Sequence, residues 1–249
     1  MENLDFYRKI RVENLKALKC FSRLSNLYNL LPKTKGCMEN ICTGECCKAE
    51  CCRFQTPQLL YCEFLKIWKY INKKWDNKIV LDLFEKCMKN AVDSSPSKGC
   101  VFFDDKTYLC LIHKVRSLSC RVYGITPPEE FNPRYERLKE YYKKFPGSIL
   151  KPQCTLVSTE DNSLVTIEKT SEWWNQLVEI EEKLGINKNN INDREGGSYR
   201  SPHDHILLYT MPDNILNALS GIKLYNNWMD KLEHVAELMM VMREYFKVL

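Results

Sequence analysis

Long apolar runs are missing from this sequence. No stretch approaches the roughly 20 apolar residues that a helix needs to cross a bilayer. The first residues are charged from Glu2 onward and lack an apolar core followed by small residues, so no signal peptide is predicted. We therefore expect a protein of the cytoplasm with no membrane partner.

Known catalytic motifs are missing as well. The sequence contains no phosphate-binding glycine loop, no dinucleotide fingerprint and no recognisable pairing of a nucleophile with a base. Its 37 basic and 32 acidic residues nearly balance, and no concentrated basic stripe stands out. A nucleic-acid partner is therefore not indicated, whereas enzymatic activity, a protein partner and a substrate all stay open.

Cysteine, in contrast, is abundant. The chain has 13 cysteines, an odd number, and two adjacent pairs that would bridge each other only with strain, which argues against a secreted disulfide scaffold. Ten of them fall into two clusters and a trailing member: Cys37, Cys42, Cys46, Cys47, Cys51 and Cys52, then Cys100, Cys110 and Cys120, then Cys154. Because thiolates prefer zinc and iron to magnesium and calcium, this distribution predicts a thiolate-rich metal site.

The alternative interpretation is that these thiols are small apolar side chains of the core, as free cysteines often are. The first cluster argues against it, because six cysteines lie in a polar segment without apolar periodicity. For Cys20, Cys62 and Cys87 the preference reverses. Each lies among apolar residues at helical spacing, and we expect packed thiols there.

The spacing of the cysteines excludes several common motifs. Cys42 and Cys46 are separated by three residues, which fits neither the C-x2-C of zinc knuckles nor a thioredoxin-like C-x-x-C. The plant ferredoxin run C-x4-C-x2-C also fails at the third cysteine. A longer pattern does match. It comprises Cys37, Cys42, Cys46-Cys47, Cys100 in KGC, the segment CLIHKVRSLSCRVY from Cys110 to Tyr123, and Cys154.

This pattern resembles the YkgJ-like cysteine-cluster family, whose members are described as zinc- or iron-chelating proteins. The resemblance covers roughly residues 37–154 and is closest in the second half, at Cys110, His113, Arg116, Cys120 and Arg121. The gaps in the first half are wider than the family's, and two further cysteines follow it. A similar cysteine-rich region occurs in flagellin lysine methylases.

The resemblance implies a set of eight metal ligands, enough for two four-thiolate sites. They are Cys37, Cys42, Cys46, Cys47, Cys100, Cys110, Cys120 and Cys154. Cys51 and Cys52 are candidate substitutes, and the implied role of His113 is contact with a ligand rather than ligation. Arg116 and Arg121 flank Cys120 and would stabilise its thiolate or a negatively charged cluster; surface salt bridges are the alternative for both.

An iron–sulfur cluster or iron is the favoured cofactor, with zinc as the alternative. An iron–sulfur cluster would serve redox or modification chemistry. Zinc would instead hold the loop and hairpin of a binding or adaptor module. A third hypothesis is metal storage or delivery, with Cys51 and Cys52 as exchangeable ligands.

The predicted fold class is α+β and mostly α-helical, with a cysteine-rich metal-bound loop and a small β-hairpin packed among helices. Three segments are expected: an N-terminal helix in residues 1–32, a cysteine-cluster domain in 33–155, and a mostly helical region in 156–249. One helix is predicted to begin at Thr56-Pro57. Further helices are predicted over residues 80–91, 133–144, 170–184, 213–219 and 230–248. Residues 100–112 predict the hairpin, with Cys100 and Cys110 on its two arms, and 164–169 predict a strand.

A second candidate site lies in SPHDHILLY, where His203 and His205 flank Asp204. On an extended strand, two histidines spaced i, i+2 point to one side and could hold a metal with a carboxylate. A capping or loop role for Asp204 is the more common alternative.

Overall fold

The computed structural model describes residues 14–35, 50–154, 157–186, 198–211 and 213–248. The helices are α1 (Asn14–Asn29), α2 (Glu50–Phe54), α3 (Tyr61–Lys74), α4 (Asn77–Val92), α5 (Leu118–Val122), α6 (Pro128–Tyr142), α7 (Ile167–Glu182), α8 (Pro202–Thr210), α9 (Asp213–Ile222) and α10 (Trp228–Val248). The strands are β1 (Thr34–Lys35), β2 (Phe103–Asp104), β3 (Leu109–Cys110) and β4 (Ser158–Thr159). The predicted fold class, α+β and mostly helical, is confirmed.

The strands form two small antiparallel pairs. β2 and β3 make the predicted hairpin, in which Phe103 lies opposite Cys110. Cys100 precedes β2 by one turn and is buried, so only one of the two cysteines lies on an arm. β1 pairs with β4, with Thr34 opposite Thr159, and this pairing brings the end of the N-terminal segment beside the chain that follows Cys154.

Several helix predictions are confirmed, because an apolar face with a 3.6-residue period is a local signal. α4, α6, α9 and α10 coincide with the stretches predicted as helical, with ends shifted by up to five residues. The strand predicted at 164–169 is wrong, because α7 begins there. Thr166 is its N-cap, and the hydroxyl oxygen of Thr166 accepts a hydrogen bond from the backbone N–H of Lys169.

The predicted start of a helix at Thr56-Pro57 is also wrong, because α3 begins at Tyr61. Its N-terminus is capped by two buried carboxylates. Glu63 accepts a hydrogen bond from the N–H of Leu60, and Glu181 of α7 accepts from the N–H groups of Tyr61 and Cys62 at 3.0 and 2.7 Å. Negative charge stabilises a helix N-terminus, where the peptide dipoles leave partial positive charge. Long-range contacts therefore fix this boundary.

Two hydrophobic clusters hold the helices together. The larger is built from α3, α4, the 100–103 turn, α8, α9 and α10. The smaller joins α1, the start of α3, α5 and α7. Cys87 lies in the first cluster and Cys20 and Cys62 in the second, and all three are buried as predicted. Both clusters combine residues that are far apart in sequence. Helices from the N- and C-terminal parts of the chain therefore pack against α3, α4 and α5.

Candidate metal centre

Five cysteines line a single cavity of about 160 Å³. They are Cys51, Cys52, Cys110, Cys120 and Cys154. The sequence separation between these thiols reaches roughly a hundred residues, so only the tertiary fold assembles them. By this measure of volume, a cavity needs about 10–15 Å³ to hold one water molecule, so the space is larger than a single bound ion requires.

Cys51 and Cys52 lie on α2, which is held against the turn that carries Cys100. The N–H of Cys100 donates to the carbonyl of Cys52 at 2.7 Å. The adjacent Gly99 permits this approach, because a Cβ atom there would lie 2.7 Å from the carbonyl oxygen of Arg53. Cys100 is buried and does not line the cavity. Burial raises the pKa of its thiol, and the charges of Cys110 and Cys120 raise it further.

Cys120 is carried by α5, whose N-terminus is fixed by a buried carboxylate. Glu63 accepts a hydrogen bond from the N–H of Leu118 at 2.7 Å. The same carboxylate accepts the hydroxyl proton of Tyr28 at 2.5 Å. Because Glu63 belongs to α3, it connects the thiol-bearing helix α5 to the core helix α3 and to α1.

Cys154 lies in an extended segment that packs on the end of α5. The hydroxyl of Tyr123 donates to the carbonyl of Pro152 at 3.0 Å. Gly124 has a φ of 91°, and a Cβ atom there would meet the Cβ of Val157 at 2.9 Å. A side chain at position 124 would therefore be strained and would push this segment away. The C-terminal end of α5 and the Cys154 segment thus form one unit of the wall.

The thiols affect one another. The sulfur atoms of Cys51 and Cys52 are 3.9 Å apart. Cys52 forms side-chain hydrogen bonds with Cys51 and with Cys110. These bonds lower the pKa values of Cys51 and Cys110 and raise the pKa of Cys52. Burial raises the pKa of Cys120 to about 12. Metal binding at this cavity would require deprotonation of these thiols, because the thiolate is the form that binds metal.

Arg116 supplies positive charge at the cavity wall. Its guanidinium donates to the hydroxyl of Thr34 at 2.9 Å and contacts Nε2 of His113. Its buried Nε has no hydrogen-bond partner among the described residues. The charge of Arg116 also contributes to the lowered pKa values of Cys51 and Cys110. Arg116 is therefore placed to stabilise negative charge in the cavity.

Arg121, the other arginine that flanks Cys120 in the sequence, contacts the main chain before α5 and a ring of α1. Its guanidinium donates to the carbonyls of Arg116 and Lys114, lies 4.3 Å from the ring centre of Tyr28, and is not part of the cavity wall. We therefore assign it to holding α5 in place. His113 does line the cavity, where burial and the neighbouring Arg116 and Arg121 lower its pKa to about 4. Its imidazole is thus neutral at pH 7.

The structure covers half of the predicted ligand set. Cys37, Cys42, Cys46 and Cys47 lie outside the described residues. Of the other predicted ligands, Cys110, Cys120 and Cys154 meet at the cavity, and Cys100 is buried beside it. Cys51 and Cys52, which the sequence left as substitutes, are on the wall. Within the described ranges, no three or more His, Cys, Asp or Glu side chains are arranged to hold one metal ion.

His203 and His205 do not form a metal site. The strand assumed for them is wrong, because both lie on α8, where residues spaced i, i+2 do not share a face. Ser201, not Asp204, is the N-cap, and its hydroxyl oxygen accepts from the N–H of Asp204. His205 is fully buried against Phe64, and its Nε2 is 2.9 Å from the carbonyl of Leu59. Both histidines are therefore buried side chains of the core around α8.

Comparisons with family models, curated proteins and solved structures give no match to this chain. In the described part of the chain, no helix is long and apolar enough to cross a membrane.

Proposed function

We propose that this chain is a metal-binding protein of the YkgJ-like cysteine-cluster family, holding an iron–sulfur cluster or iron through thiolates, with redox or modification chemistry as the associated activity. The observation that supports this is the meeting of five thiols from four separate segments at one cavity. Scattered core cysteines would have no reason to converge on a cavity wall together with an arginine.

The chemistry of the wall fits such a group. Thiolates are ligands for iron–sulfur clusters and for zinc, and several of them leave a net negative charge on the bound centre. Arg116 lies where it offsets that charge, and neutral His113 lies where it can contact a ligand. The proposed set of eight also includes Cys37, Cys42, Cys46 and Cys47. Thr34 and Cys51, close to the two ends of segment 36–49, both line the cavity.

When bound, an iron–sulfur cluster would supply one-electron transfer. The residues of the chain would hold and tune it. Glu63 and Gly99 keep α5 and α2 at the wall. Arg116 favours the more negative state of the centre by its charge, and the burial of the thiols limits their contact with water.

Structural zinc is the second candidate, and one observation favours it. The elements that carry the thiols are short, since α2 and α5 have five residues each and β3 has two. Such elements have little hydrophobic core of their own, and structural zinc can supply on the order of 10 kcal/mol to folding. In that case the chain would be a binding or adaptor module. Metal storage or delivery, with exchangeable ligands, is a separate alternative.

The test is anaerobic purification followed by metal and acid-labile sulfide analysis and a visible spectrum. Iron with sulfide and a broad band near 400 nm, roughly where thiolate-bound clusters absorb, is the expected result. About two zinc ions per chain without colour would select structural zinc. Less than one metal ion per chain would refute the proposal.

A further inference from the structure

A groove of about 660 Å³ lies between α6 and α7, next to the metal centre. We call it the α6–α7 groove. Its walls include Phe131, Tyr135, Leu138 and Tyr142 on α6, Ile167, Thr170 and Trp174 on α7, and Leu118, Val122 and Tyr123 from α5 and its end. The volume falls within the about 300–1,000 Å³ typical of small-molecule sites.

The α6 wall is an apolar stripe that the fold covers only in part. Phe131, Tyr135, Leu138 and Tyr142 recur at the spacing of one helix face. A helix of this length normally buries such a face in the core, yet no residue of α6 is buried. Instead the rings of Phe131 and Tyr135 stack at 5.8 Å and face the groove, as does Leu138, which is 41% exposed. Phe131, Tyr135 and Tyr142 are half-buried, so the described structure covers the stripe only in part.

The opposite wall is aromatic too. Trp174 packs edge-on against Tyr199 at 4.8 Å, and both rings line the groove. Between the walls, Leu118 and Val122 contribute apolar surface. A flat ring placed between α6 and α7 would thus meet aromatic side chains on both sides, an arrangement that favours planar ligands.

The groove and the thiol-lined cavity share part of their walls. Gln55, Thr56, Ser119 and Tyr123 line both spaces. Ser119 immediately precedes Cys120, one of the five thiols. A molecule in the groove would therefore lie one layer of side chains from the metal centre.

Charge in the groove favours an anion. Arg134 lines it, is exposed, and forms no salt bridge or hydrogen bond with any described residue. Its charge reaches across to Tyr199, where it opposes the burial that raises the pKa of that phenol. Glu130 supplies the acidic charge of the groove, and its carboxylate accepts the N–H of Ile167 at 2.5 Å. Lys151 adds a second basic side chain to the wall, so positive charge exceeds negative charge there.

We propose that the α6–α7 groove binds a small organic anion that carries an aromatic ring, with the ring between α6 and α7 and the anionic group at Arg134. The position of this ligand beside a metal rests on the proposed function. The binding of the ligand in the groove does not depend on the proposed function.

The first test is a fluorescence titration of the purified full-length protein with 8-anilinonaphthalene-1-sulfonate, an aromatic anion that becomes fluorescent in apolar sites. One site per chain is expected. Arg134→Glu should weaken binding about fivefold, the effect of losing an exposed charge pair of about 1 kcal/mol. The matched control is Arg137→Glu, since Arg137 is exposed on the same helix and does not line the groove. Equal affinities of the two variants would overturn the proposal.

A second pair of variants locates the site. Leu138→Asp places a carboxylate in the groove, whereas Leu224→Asp places one in a separate apolar pocket beside α10. Leu138→Asp should abolish binding and Leu224→Asp should leave it unchanged. The reverse result, or no dye binding by a chain with native circular dichroism, would refute the groove as a site. Uncharged N-phenyl-1-naphthylamine should bind more weakly than the sulfonate, and equal or tighter binding would refute the anion preference.

Metal content is measured on the same samples, which separates this inference from the proposed function. In iron-loaded protein the bound dye should be quenched relative to metal-free protein, because the two sites adjoin. Dye binding by protein that carries no metal after anaerobic purification would leave the groove proposal standing and refute the metal function alone. Protein that contains metal but binds no dye would refute the groove proposal and leave the metal function standing.

Discussion

The carboxylate of Glu63 on α3 accepts the backbone N–H of Leu118, the first residue of α5, at 2.7 Å. This contact connects a core helix to the short helix that carries Cys120. Glu63 also accepts from Tyr28 and from Leu60, so one buried side chain satisfies three donors. The placement of the thiol wall thus depends on a carboxylate outside the cysteine motif.

Glu63→Gln should therefore destabilise the protein and loosen α5. The glutamine side chain keeps one acceptor oxygen, but an NH₂ group replaces the other. This NH₂ group would face a backbone N–H or hydroxyl donor, so the unfolding free energy should fall by about 1–3 kcal/mol. Urea denaturation measures it. Glu179→Gln on the exposed side of α7 is the control and should change stability by less than about 0.5 kcal/mol. A Glu63→Gln protein as stable as the control would show that α5 is held by other contacts.

Gly99→Ala should damage both stability and metal binding. The new Cβ would lie 2.7 Å from the carbonyl oxygen of Arg53, a backbone atom that moves only together with α2. We expect a loss of about 1–3 kcal/mol and a reduced metal content per folded chain. Gly221→Ala is the control, because its Cβ would meet nothing within 4 Å and helix propensity favours alanine by about 0.5–1 kcal/mol. Unchanged metal content in Gly99→Ala would argue against α2 as part of the site.

Serine substitutions should distinguish cavity thiols from core thiols. Cys120→Ser and Cys154→Ser remove thiolates from the cavity wall and should each lower the bound metal, measured by elemental analysis of folded protein. Cys87→Ser buries a hydroxyl in the core at a position that does not line the cavity. It should therefore lower the unfolding free energy by about 1–3 kcal/mol, while metal per folded chain stays at the wild-type value. The opposite pattern would overturn the assignment of the cavity as the metal centre.

Acid should destabilise the protein partly through His205. Burial lowers its pKa from 6.5 to about 4, so the folded state keeps it neutral while the unfolded state gains a proton below pH 6.5. The unfolding free energy should fall as the pH drops from 6.5 towards 4, by up to about 3 kcal/mol. His203, with a pKa of about 4, acts in the same direction.

The contribution of His205 is isolated by comparison with His205→Gln. Buried Glu63 and Glu181 have raised pKa values and act in the opposite direction, since the folded state binds their protons more tightly. They are common to both proteins and cancel in the difference. The wild-type curve should therefore lose more stability between pH 6.5 and 4 than the His205→Gln curve. Parallel curves would mean that His205 is protonated in the folded state.

The sequence predicted the parts of the fold that depend on local pattern. α4, α9 and α10 follow from apolar periodicity, and the β2–β3 hairpin follows from two short apolar runs around a polar turn. The start of α3 was mispredicted, because Thr56-Pro57 is a local capping signal whereas Glu181, 120 residues beyond Tyr61 in the chain, provides the actual cap. The start of α7 was missed because LVTIEK reads locally as a strand, although Thr166 caps a helix within it.

The candidate site shows the same division. The sequence singled out Cys110, Cys120 and Cys154, and the fold brings them to one wall. It left Cys51 and Cys52 undecided, because their place at the cavity depends on the contact of α2 with the Gly99-Cys100 turn. The role of Glu63 has no local signal, since a glutamate in an amphipathic helix is usually on the solvated side. Arg116 and Arg121 looked equivalent in sequence, and only the geometry separates them.

The wide separation of the cavity cysteines has a consequence for biosynthesis. Cys51 leaves the ribosome roughly a hundred residues before Cys154, a delay of about 5–20 s at 5–20 residues per second. During that interval the nascent chain presents early thiols without the later ones that complete the wall. A metal delivered after release would find the full set, whereas one captured early would be bound by a partial set. Loading in the cell should therefore follow chain completion.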